Sequence, residues 1–289
     1  MKKKFVAALM LSMSLALTAC GSSDSSSSTV ETEETEDTAE EETDETSEEE
    51  ETADAAVMTY TSYMDAEVDS EVTVEAYVQA KQSLSEDGTV TFYMQDEDGG
   101  YLVYEAECSD EDYERLEAGT KVRVTGYKSE WSGETGVTNA TLEILDDEDS
   151  YVAAAVDVTS LLADDTLSDY LNRFVSFSGM TIEASTDADG NEVAFLYEAD
   201  GSGEAGSDLY FNVSLDGETY TFMVASSLCD EDSEVYQAVT AFETGDVIDM
   251  EGFLYWSDGA LPQITSVTVS EETISIESVE ETTETEETE

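Results

Sequence analysis

Trp131 and Trp256 are the two tryptophans of this 289-residue chain, and each has aromatic company: Tyr127 before the first, Phe253 and Tyr255 before the second. A large aromatic face either packs into a core or holds a ligand, and the C–H edge of a sugar ring is one surface that suits it. The residues alone leave both readings open. Cys20 is the next group with a chemistry of its own, because it closes the run Leu17-Thr18-Ala19-Cys20 behind an apolar stretch. Chemistry that depends on imidazole is excluded, since the chain has no His.

Carboxylates are abundant, which makes them poor markers. Asp187-Ala188-Asp189-Gly190-Asn191-Glu192 and Asp96-Glu97-Asp98-Gly99 have the oxygen ligands a calcium loop needs. In an EF-hand register, however, Leu196 falls where the bidentate Glu belongs, and Asp-Gly and Gly-Gly pairs are ordinary hairpin turns. A pair of carboxylates could serve glycoside hydrolysis, but this composition guarantees accidental pairs. No nucleophile with its base, phosphate loop or metal-ligand spacing can be assembled. The expectation is no enzyme, no cofactor and no metal. Cys108 and Cys229 form an even pair that permits a disulfide, though equivalent positions in two copies of a unit point to separate thiols.

Charge organises the chain. Seventy-two acids against nine bases give a net charge of −63. Residues 21–58 carry 16 acids and 271–289 carry nine, neither with a base, whereas 59–270 hold the remaining 47 acids and six bases. The flanks have no apolar period, so they are expected to be disordered: an acidic tether over 20–58 and an acidic tail over 271–289. A phosphate backbone is attracted by Lys and Arg. Lys81, Lys121, Arg123 and Lys128 offer one small basic face in the first half, against 22 acids between Thr59 and Asp147, so nucleic acid is not expected as a partner.

Lys2, Lys3 and Lys4, the apolar run Phe5 to Leu17 and the small residues before Cys20 make a secretory signal too short to span a bilayer. With Leu17-Thr18-Ala19-Cys20 in place, this stretch resembles a bacterial lipoprotein signal over residues 1–19. The resemblance implies cleavage before Cys20, diacylglyceryl transfer to its sulfur, and a lipid-anchored protein on the extracytoplasmic face of the cell membrane. Two or more acyl chains suffice for stable anchoring.

The elements that must position the aromatics are strands. Val72, Val74, Ala76 and Val78 alternate with polar residues, and Val90, Phe92 and Met94 lead through Asp96 to Gly100 into Tyr101 and Val103, a hairpin. Ser109-Asp110-Glu111-Asp112 opens a short helix, and strands follow at Val122 and at Val137 to Ile144. The second half repeats this ending. Gly119 and Gly126 match Gly245 and Gly252, Trp131-Ser132-Gly133 matches Trp256-Ser257-Asp258-Gly259, and Cys108-Ser109-Asp110 matches Cys229-Asp230-Glu231 as a helix start. Phe174 to Gly179 and a hairpin across Asp216-Gly217 complete the copy, with an insertion around Asp187 to Ser207.

Three strands, a helix and two strands is the order of the five-stranded OB-fold. The run from Phe92 to Tyr104, continued by Leu116 to Tyr127, resembles OB modules of bacterial secreted and surface proteins; Leu171 to Gly179 resembles the first strand of a second one. The expected fold is all-β with short helices: tandem OB-like Greek-key barrels over 59–147 and 148–270. The resemblance places both tryptophans in the loop between the fourth and fifth strands, part of the OB ligand face. The expected function is a membrane-anchored, extracellular, non-catalytic binding module. Its ligand would be a glycan, peptide or protein, met by Trp131, Trp256, Tyr127, Tyr255 and Phe253, and the alternative is a structural spacer or subunit of an envelope assembly.

Overall fold

The computed structural model describes residues 56–145 and 149–270. Cys20, the signal, nearly all of the tether and the tail lie outside the described residues. In the first half, β1 (Glu71–Lys81), β2 (Thr89–Gln95), β3 (Gly100–Glu107), β4 (Lys121–Trp131) and β5 (Glu134–Ile144) close into a barrel in the order β1-β2-β3-β5-β4. The β3–β5 contact is parallel and the others antiparallel. The alternation read from the sequence is the inward face: Val72, Val74, Ala76 and Val78 are all buried.

The second half repeats the closure with β6 (Phe174–Glu183), β7 (Leu209–Leu215), β8 (Glu218–Val224), β9 (Val247–Phe253) and β10 (Gln263–Val269). Pairings β6–β7, β7–β8, β8–β10, β10–β9 and β9–β6 form the ring, again with one parallel contact, β8–β10. Both rings therefore share one strand order, that of the OB-fold. Phe177, Phe211, Phe222 and Ile264 fill the second core.

The paired glycines have two jobs. Gly119 and Gly245 precede the fourth strand of each barrel at φ of +89° and +99°, the left-handed region where a Cβ is unwelcome. Gly126 and Gly252 lie in that strand at a break in its register with the fifth. A Cβ on Gly126 would sit 2.8 Å from the Thr138 carbonyl oxygen, and one on Gly252 only 2.1 Å from that of Gln263. Close approach of the fifth strand, rather than a turn, reserves this position for glycine.

The helices correct the repeat in one respect. Ser109 caps α2 (Asp110–Arg115), accepting from the Asp112 N–H, as expected. The corresponding α3 runs over Glu234–Thr240 and is capped by Ser233. Cys229 to Asp232 do not open it: the Ser233 N–H donates to the Asp230 carbonyl, so these residues form a turn ahead of the cap. Another helix, α1 (Tyr60–Asp65), precedes the first barrel and sends Tyr63, 1% exposed, into its core. Lys128 holds α1 down, its buried ammonium donating to the Met64 and Ala66 carbonyls at 2.6 and 2.9 Å.

Candidate functional site

An OB-fold holds its ligands on the face of its second and third strands and in the loops after the first and fourth strands. In the first barrel that face is taken. Tyr93 on β2 and Leu102 on β3 point away from the core, yet both are about 98–99% covered. They pack with Phe253 of β9, and Ala80, Trp131, Phe174, Leu228 and Tyr255 surround them. The rings of Tyr93 and Phe253 stack at 4.2 Å with an interplanar angle of 5°. The second barrel thus sits where a ligand of the first would bind.

Polar groups lock this joint. Glu134, at the start of β5, is fully buried and accepts three hydrogen bonds: from the Thr135 N–H and Asn172 Nδ2 on Oε1, and from the Trp256 N–H on Oε2. Asn172 also donates to the Thr135 carbonyl, and the Phe174 N–H donates to Gln95 Oε1. A Cβ on Gly100 would lie 2.4 Å from the Asn172 carbonyl, so only glycine lets the second barrel's leading strand pass. Three N–H donors favour ionised Glu134, but burial outweighs them and raises its carboxyl to about 7.

The five aromatics expected at the site are placed as follows. Trp131 packs on Gly136, lies 5.7 Å from the Tyr104 ring and directs its Nε1 at Tyr255 Oη, 3.4 Å away. Trp256 lays the pyrrole edge of its indole on Gly133. Between these loops, the Asp258 N–H donates to the Ser132 carbonyl at 2.7 Å. Each tryptophan therefore meets the barrel it does not belong to, an arrangement the sequence reading did not contain. Phe253 is buried in the joint, Tyr255 is half-buried beside it, and Tyr127 is exposed on β4. The structure brings Trp131, Tyr255 and Phe253 together and leaves Tyr127 outside the group.

One wall of Trp256 remains open. A cleft of about 650 Å³ runs along the second barrel between the loop carrying Trp256, Ala260 and Pro262, the β8 residues Thr219 to Phe222, and the segment Leu162 to Ser168. Leu167 and Phe222 form its buried floor, Tyr220 and Trp256 are half-buried in its sides, and Asp164 and Asp165 stand exposed at its edge. Trp256 lies in the loop after the fourth strand, a part of the OB ligand region, whereas Tyr220 shares the inward face of β8 with Phe222 and reaches the cleft from the core side. Asp164 Oδ1 accepts from the Thr166 N–H and hydroxyl at 2.9 and 2.8 Å, bonds that hold its carboxyl below the usual range and keep it ionised. The sequence reading found Trp256 but missed Tyr220, Asp164 and Asp165. Tyr220 alternates in phase with the core residues Phe222 and Val224 and pairs with buried Val213, so the strand pattern marked it as interior and gave no signal of a cleft.

The basic residues of the first half are engaged within their own barrel. Arg123 pairs with Glu75 at 2.8 Å and Glu143 at 2.9 Å, Lys121 lies 3.7 Å from Glu75, and Lys81 donates to the Tyr113 carbonyl beneath that tyrosine's ring. Lys128, expected on the same basic face, is buried under α1. The acid clusters serve turns: Asp187 accepts from the Asn191 N–H and Asp96 from the Gly99 N–H. Cys108 and Cys229 are unbridged, and burial raises the Cys229 thiol to about 11.

No family model matches the chain, and no curated protein does. Solved structures similar to it include a murine DNA-binding protein bound with double-stranded DNA, at 10% identity and a TM-score of 0.33 over 68% of this chain and 97% of that one. A replication protein A heterotrimer bound to single-stranded DNA matches at 11% identity and a TM-score of 0.30, over 71% of this chain and 50% of that one. A deletion mutant of the single-stranded DNA-binding protein from Thermus aquaticus matches at 12% identity and 0.25, over 72% and 97%. Against these neighbours the expectation of a surface module for a glycan, peptide or protein, with its spacer alternative, is withdrawn. So is the exclusion of nucleic acid, because the neighbours are DNA-binding proteins. At these identities and scores the likeness assigns no ligand to this chain.

Proposed function

We propose that this chain is a non-catalytic small-ligand-binding protein in which the second barrel binds and the first holds the binding loop in place. The observation that carries this reading is an open cleft beside the second barrel's ligand loop, whereas the first barrel's ligand face is covered. Tyr93 and Leu102 are sealed by the joint, while Tyr220 and Trp256 line a cleft large enough for a small molecule. Barrel one contributes rigidity, because Glu134 fixes the Trp256 backbone and Gly133 supports its ring. A fragment mixture followed by amide NMR of the full chain tests it. Shifts should gather at Leu162 to Ser168, Thr219 to Phe222 and Trp256; shifts confined to the first barrel, or none, would overturn the assignment.

The same reading includes an anchor at Cys20, supported by the Lys2 to Cys20 pattern. Labelled palmitate should enter the chain in a bacterial host and be lost on Cys20→Ser. Equal labelling of both forms would refute lipidation at that cysteine.

A further inference from the structure

We propose that the Trp256 cleft takes a small organic cation, of the quaternary ammonium or polyamine class, held by aromatic faces and an acidic edge. The proposal rests on the cleft being the binding site and names what enters it. Tyr220 and Trp256 supply π surfaces, whose quadrupole attracts an ammonium group, most strongly where water is partly excluded. Leu167, Phe222 and Pro262 give methyl groups an apolar bed. Asp164 and Asp165 set negative charge at the mouth, and Asp164 is kept ionised by Thr166.

The setting reinforces the local chemistry. Among the described residues, no Lys or Arg lines the cleft. Residues 151–270 contain 23 acids and one base, Arg173, whose guanidinium is turned to the Glu97 carbonyl of the other barrel. A cleft with low-dielectric walls inside such a field concentrates cations. A neutral ligand would draw nothing from this field. An anionic strand would have to place phosphates beside two aspartates, with an unfavourable contact at each.

Isothermal titration calorimetry on the full chain separates the outcomes, using choline, spermidine and the uncharged choline isostere 3,3-dimethylbutan-1-ol as probes. Choline or spermidine should bind about tenfold more tightly than the neutral isostere, a ratio within the range of a partly desolvated cation–π contact. The double substitution Asp164→Asn with Asp165→Asn should remove most of that advantage and leave the isostere unaffected. Asn remains a good helix cap, so the Thr166 turn survives. Trp256→Leu should weaken all three probes.

Equal binding of choline and its isostere would show a working cleft with the wrong ligand class, and would overturn the cation proposal alone. Choline binding that survives the double Asn variant would place the cation elsewhere. A single-stranded oligonucleotide that binds more tightly than choline and depends on Tyr220 would make an anionic strand the occupant. If no probe binds and the fragment shifts are absent as well, the cleft itself is refuted.

Discussion

Truncating Phe253 to Ala is expected to destabilise the protein by about 3–5 kcal/mol, the range for a buried phenylalanine whose site cannot collapse. The ring is 2% exposed, stacked on Tyr93 at 4.2 Å and tilted against Phe174 at 5.3 Å. Neither neighbour can follow the missing ring, since Tyr93 belongs to one barrel wall and Phe174 to the other. Urea unfolding followed by far-UV circular dichroism reads the effect. We expect the midpoint to fall and the single transition to divide, because the joint that couples the barrels is lost before either core. A change below about 1 kcal/mol would mean that the stack does not hold the barrels together.

Glu134 should give the protein an unusual pH dependence. Its folded carboxyl titrates at about 7 against 4.5 for the unperturbed group. Between those values the native state retains a proton that the unfolded chain has released. The contribution of this group is therefore whole below about pH 4.5, declines as pH rises toward 7, and is constant above it. The full loss amounts to about 3 kcal/mol. Repulsion among the many other carboxylates slopes the same way, so Glu134→Gln is the control. The amide can keep the Thr135 and Asn172 bonds through its oxygen, and the difference in stability between the two proteins isolates the buried carboxyl. That difference should change by about 2–3 kcal/mol from pH 4.5 to 7.5; parallel curves would show that Glu134 is ionised throughout.

How far the sequence spoke depended on the range of the contacts involved. Inward residues such as Val74 and Val124 report themselves through local alternation, and the Gly119–Gly126 and Gly245–Gly252 pairs report a duplicated backbone. The joint is written in residues that look like surplus hydrophobicity. Val90-Thr91-Phe92-Tyr93-Met94 is a nearly continuous apolar run and is buried on both sides. Such a run signals a strand covered on two faces, and the sequence reading used only its alternating half. Glu134 could not be picked out among 72 acids, because its burial depends on Asn172 and Trp256, 38 and 122 residues further on. Helix α1 was missed because six residues carry too little periodicity to register.

The covered face of the first barrel decides how the molecule can be divided. Cutting the chain between Ser150 and Tyr170 would bare Tyr93, Leu102 and Phe253 together, on two fragments that each keep a closed ring of strands. Such halves would carry complementary sticky patches, so they should be handled as a co-expressed pair and not as interchangeable parts.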